Sequence, residues 1–149
     1  MSQLLQLVHK YREAVARRDT GHPADRAESA DAGLIKAIEA EFSDAERREG
    51  RGVALEGLLC SDVLFDRVSV TRMNLAGCVC RGAPRVAEGE PVEIRIDDRD
   101  RALSYRFKAQ AAWLADDVDG GLTLGLAFVG TPLVLRYRRR STAAKPLAA

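Results

Sequence analysis

Leu103-Ser104-Tyr105-Arg106-Phe107-Lys108-Ala109-Gln110-Ala111-Ala112-Trp113 is the run that decides the fold. Leu103, Tyr105, Phe107, Ala109, Ala111 and Trp113 fall on one face and Ser104, Arg106, Lys108 and Gln110 on the other. That period of two describes a long strand with one buried side. Working outward, Val92, Ile94 and Ile96 alternate with Glu93, Arg95 and Asp97, and Leu122, Leu124, Leu126 and Phe128 form a hairpin partner that Gly130 and Pro132 end. Further upstream, Val53, Leu55 and Leu58 are assigned to one strand, Val68 and Val70 with Ser69 and Thr71 to another, and Cys78 to Cys80 to a short third. About six strands joined by short turns, with no helix between them, predict a small antiparallel barrel or sandwich, and closure into a barrel hides the strand edges. The acidic turn Asp116-Asp117-Val118-Asp119-Gly120-Gly121 lacks the downstream glutamate and flanking helices of an EF-hand, and is read as a hairpin turn.

Ahead of the strands the period is helical. Leu4, Leu7, Val8, Tyr11 and Val15 mark one amphipathic helix, and Gly21 and Pro23 break the pattern between Thr20 and Ala30. A second helix is expected from a cap at Asp31, with Leu34, Ile35, Ile38 and Phe42 as its stripe and Glu46 to Arg48 at its end. Spacing leaves open whether these stripes face each other, the strands or a second copy of the chain, so a homo-oligomer is one expectation. The expected division is a helical region at 1–46, a barrel at 47–132 and a basic tail at 133–149.

The 149 residues suit one core, and a formal net charge of +1 supplies no global field toward nucleic acid or membrane. Three cysteines without framework spacing, and no apolar leader or membrane-length run, point to a cytoplasmic protein. Cys78 and Cys80 share a strand face and are read as small buried residues; no second pair completes a metal set, and neither His9 nor His22 has a catalytic partner. No nucleophile–base pair and no phosphate-cradling loop suggests an enzyme. Arg136-Tyr137-Arg138-Arg139-Arg140 could meet phosphates, but is read as part of a solvated or helix-forming tail, which makes nucleic acid the weakest partner class.

Glu46-Arg47-Arg48-Glu49-Gly50-Arg51-Gly52, between the helices and the first strand, admits two readings. It is a helix end whose cations offset the macrodipole, or a flexible guanidinium fork for a planar or phosphorylated anion.

The order of fork and strands resembles the PilZ family. Arg47-Arg48-Glu49-Gly50-Arg51 matches the family's Arg-x-x-x-Arg, with Arg47 and Arg51 at the fixed positions. Arg72-Met73-Asn74-Leu75-Ala76-Gly77 aligns with Asp/Asn-x-Ser-x-x-Gly, keeping Gly77 while Arg72 and Asn74 depart from the pattern. Ala109-Gln110-Ala111-Ala112-Trp113 and Leu124-Gly125-Leu126-Ala127-Phe128 are similar to the Val-x-Trp and Gly-hydrophobic-x-Phe strands. The resemblance covers roughly Arg47 to Pro132. It implies a six-stranded antiparallel PilZ-like β-barrel preceded by two helices, no cofactor, and cyclic di-GMP as ligand. Arg47, Arg48, Arg51, Arg72, Asn74 and Gly77 become the implied ligand-binding residues. Ligand capture would reposition the N-terminal segment and so alter a surface, on the helices or barrel, for a protein partner. The alternative is a divergent interaction module that binds no nucleotide, of the kind that regulates motility or polysaccharide export.

Overall fold

The computed structural model describes residues 2–19, 25–117 and 121–137. Three helices come first, α1 (Ser2–Asp19), α2 (Asp25–Glu39) and α3 (Asp44–Glu49). Strands β1 (Arg51–Cys60), β2 (Phe65–Met73), β3 (Gly77–Arg81), β4 (Pro91–Asp98), β5 (Leu103–Asp116), β6 (Leu122–Phe128) and β7 (Leu133–Arg136) follow. Six of them close an antiparallel barrel in the order β4-β1-β2-β3-β6-β5, with β5 returning to β4 and β7 added along β5. The expected barrel is therefore present.

Closure depends on the 14 residues of β5. Its residues 103–110 pair with β4, while 109–116 pair with β6. Inward-facing Ile94, Ile96, Phe107 and Leu124 are fully buried beside Leu59, Val70 and Met73, and Phe107 stacks on Phe128 at 4.8 Å. Each such side chain contributes about 1.5–3 kcal/mol by leaving water.

One residue of β5 departs from the simple alternation. Ala111 pairs with Leu126, but the next pairs are Trp113 with Gly125 and Leu114 with Leu124, so the strand carries one extra residue. This bulge reverses the parity beyond it. Trp113, expected on the inner face, is turned outward and is 45% exposed, while Leu114 packs against the core.

The helical readings change in detail. α2 starts six residues before Asp31, which lies inside it and accepts an ion pair from Arg17 at 2.8 Å. α2 stops at Glu39; Phe42 is buried in the connection, and Arg47 and Arg48 belong to the separate short helix α3. The apolar stripe of α1 serves two neighbours. Leu4, Leu5 and Val8 join the barrel core, whereas Ala14 and Val15 pack on Ile35 of α2. Between these halves, His9 is 8% exposed and meets Tyr105 edge-on, with ring centroids 5.8 Å apart. Its Nε2 has no hydrogen-bond partner among the described residues, and burial holds its pKa below the ordinary value.

Cys78 and Cys80 are buried with sulfurs 3.9 Å apart, as small strand residues facing one side should be. Leu133 to Arg136, read as the start of a solvated or helix-forming tail, instead form β7 by pairing with residues 103–106 of β5. Arg138 to Arg140, His22 and the tip of the acidic turn lie outside the described residues. Among the described residues, no helix is long and apolar enough to cross a membrane.

Candidate functional site

α3 starts where a side chain can satisfy its first amides. The Glu46 amide donates to Ser43 Oγ at 3.1 Å, and the Ser43 amide donates to the Glu46 carboxylate at 2.9 Å, a reciprocal cap. The helix ends at Gly50, whose φ of 88° is one that side-chain-bearing residues rarely adopt. A Cβ on Gly50 would stand 3.2 Å from both Arg72 Cβ and Met73 N, so the end of α3 lies directly on β2.

The two fixed arginines of the first motif turn back toward α2. Arg47 donates from Nη2 and Nε to the Glu39 carbonyl at 2.8 and 3.2 Å. Arg51 donates from Nε to the Glu46 carboxylate at 2.7 Å and from Nη2 to the Glu41 carbonyl at 3.2 Å, with its guanidinium 4.6 Å over the Phe42 ring. The Glu39 carbonyl also accepts the Phe42 amide at 3.1 Å, and the negative end of the α2 dipole favours cations at this place. The Arg51 hydrogen bond first, and the Ser43 amide second, hold the Glu46 carboxyl down at about 2.

The second motif grips the same linker from the barrel side. Arg72 Nη1 donates to the Gly50 carbonyl at 3.3 Å, and Asn74 Nδ2 donates to the Arg47 carbonyl at 2.8 Å. Asn74 Oδ1 accepts from the amides of Ala76 and Gly77 at 2.9 and 2.8 Å, which shapes the β2–β3 turn. At Gly77 the demand for glycine comes from the neighbouring strand: a Cβ there would overlap the Leu126 carbonyl oxygen.

Between α3 and the outer face of the barrel lies a cleft of about 550 Å³. It brings Arg48, Arg72, Asn74 and Gly77 together, and adds Glu49, Trp113 and Gly125. Arg47 and Arg51 do not line it. Arg48 is exposed and forms no hydrogen bond or ion pair among the described residues. Trp113 lies against β6 because Gly125 opposite it has no side chain; a Cβ there would overlap the indole. The cleft thus offers two guanidinium groups, an aromatic plate and one carboxylate, a set suited to a planar ligand bearing negative charge. Trp113 escaped the sequence reading because strict alternation placed it inside. The signal that could have found it is the aromatic-to-glycine pairing with Gly125.

No protein-family model matches this chain, and no curated protein matches it with significance. Solved structures of MrkH from K. pneumonia are similar to it. One crystal form is 18% identical over 69% of this chain and 41% of MrkH, with a TM-score of 0.48. The MrkH complex with c-di-GMP is 19% identical over 71% of this chain and 42% of MrkH, also at 0.48. A third, described as a c-di-GMP-dependent transcription regulatory factor, is 17% identical over 70% and 39%, at 0.47. The chain therefore spans about two fifths of the length of MrkH.

Proposed function

We propose that this chain is a PilZ-type receptor that binds cyclic di-GMP in the cleft between α3 and the barrel, and that ligand capture repositions its N-terminal segment. The observation that carries the reading is the convergence of Arg48, Arg72, Asn74, Gly77 and Trp113 on one space of about 550 Å³, within the range of small-molecule sites. Its chemistry suits the ligand. A guanidinium bridges guanine O6 and N7 or pairs with phosphate, and the indole provides a stacking face. Arg47 and Arg51 join the ligand only after releasing the carbonyls of Glu39 and Glu41 and the Glu46 carboxylate. Binding then loosens the anchorage of α2, provided that the ligand favours the released state.

A second reading, an interaction module without nucleotide, is favoured by one specific observation. The guanine N1 and N2 edge presents donors, yet Arg72 offers only donors and Asn74 Oδ1 already accepts two amides. Calorimetric titration of the full chain with cyclic di-GMP separates the two. The receptor reading expects saturable heat, weakened about tenfold or more by Arg48→Ala or Trp113→Ala. Absence of heat at high-micromolar ligand leaves the interaction module.

A further inference from the structure

Away from α3, the outer face of β1, β4 and β5 forms a second cleft, of about 750 Å³. The ladder fixes which side chains are neighbours across it. Arg67 of β2 pairs with Leu58 of β1, Leu58 with Arg95 of β4, Arg95 with Arg106 of β5, and Arg106 with Leu133 of β7. Arg67, Arg95 and Arg106 therefore share one row, and the last two are directly opposed. Paired strands lie about 4.8 Å apart, and like charges facing each other at that spacing are unfavourable. Glu93 relieves one of the pair, accepting from Arg95 Nε at 2.7 Å. Among the described residues Arg106 forms no ion pair, and its Nε is buried without a hydrogen-bond partner. Arg67 is exposed and forms no hydrogen bond or ion pair among the described residues.

The rest of the cleft narrows the chemistry of what could satisfy this row. Leu58, Phe65 and Tyr137 supply apolar and aromatic walls, Phe65 being 65% exposed, and Glu56, Asp98 and Asp100 line the cleft together with Asp97. Asp97, two residues along β4 from Arg95 and opposite Ser104, places an acceptor about 6.8 Å from the arginine row. We propose that this cleft binds a phosphorylated small molecule of nucleotide type, with its phosphate across Arg95 and Arg106 and the hydrogen-bond donors of its other end toward Asp97. The phosphate supplies the counter-charge that Arg106 lacks and adds to the one Glu93 gives Arg95, through two oxygens matched to a guanidinium fork. Inorganic phosphate shares the charge but has neither a ring for Phe65 and Tyr137 nor donors for Asp97. The site stands apart from the α3 cleft, so it does not depend on cyclic di-GMP binding there.

Nitrogen-15 NMR of the full chain, titrated separately with AMP and with inorganic phosphate, tests the assignment. Saturable shifts of the Arg95 and Arg106 Nε–Hε signals are expected with AMP, at an affinity about tenfold higher than for phosphate. Arg106→Gln should weaken AMP about tenfold or more, and Arg67→Gln, at an exposed position that leaves the barrel intact, by a few-fold. No saturation up to about 10 mM AMP, or shifts centred on Arg48 and Trp113, would overturn the site. Equal affinities for AMP and phosphate would overturn the nucleotide assignment. Should Arg106→Gln fail to fold, unchanged AMP binding by Arg67→Gln is the result that counts against the row.

Discussion

On the barrel side of the α3 cleft, Gly77 and Gly125 sit where a single methyl group would strike the Leu126 carbonyl or the Trp113 indole, and every strand is tied to its neighbours by a ladder. On the helical side, α3 has no buried residue and is held to the barrel by hydrogen bonds from Arg72 and Asn74. The first wall is close-packed and cannot adjust without moving a strand. The second rests on partly or fully exposed polar contacts, each worth about 0.5–1.5 kcal/mol. On the proposed receptor reading, a ligand entering between them would meet a preformed plate on one side and the less firmly held α3 on the other, which would assign the conformational signal to the helices.

The largest test of this contrast is Gly77→Ala. Its methyl group would meet a main-chain oxygen that no rotamer change can move, and the cost should be about 3 kcal/mol in urea denaturation. A loss below about 1 kcal/mol would show that β3 and β6 can separate after all. Asn74→Ala comes next, at about 1–2 kcal/mol, because the amides of Ala76 and Gly77 lose their acceptor while α3 loses a tether. Amide exchange at residues 46–50 should quicken while the ladders stay protected; unchanged exchange there would give the tethering role to another contact.

Two smaller effects appear as pH profiles. Burial lowers the folded pKa of His9 below its ordinary 6.5. The stability from a neutral imidazole is therefore complete above that value and is lost as pH falls through the folded pKa. Thermal midpoints of the wild type should drop from about pH 7 to about pH 5 more than those of His9→Leu, and parallel profiles would remove His9 from the α1 seam. Glu46 behaves in the same sense further down, from an ordinary 4.5 to about 2. Its contribution to α3 is complete above 4.5 and is lost as pH falls through about 2. Glu46→Gln should flatten the acid dependence of exchange at α3, the smallest change of the four because the Arg51 pair is about a third exposed.

Much of the barrel is legible in the amino-acid order. Alternation at Val92 to Ile96, Leu103 to Ala111 and Leu122 to Phe128 survives in the structure because a half-buried strand leaves no other arrangement for those side chains. The site is legible only in part. Arg48, Arg72, Asn74 and Gly77 do converge, but the first motif says nothing of where its side chains point. Arg47 and Arg51 instead donate to the carbonyls of Glu39 and Glu41, just where α2 stops and Phe42 enters the core.

The sequence by itself determined the six barrel strands, most of their inward residues and the placing of an arginine-rich linker before the first of them, since those follow from periodicity and local charge. The tertiary structure alone decided the bulge that turns Trp113 outward, the pairing that makes a strand of Leu133 to Arg136, and the division of the α1 stripe between barrel and α2. Each of these depends on partners distant in the chain. A bulge is a mismatch between two strands and an edge pairing needs a free neighbour, so neither is written in the residues of one segment.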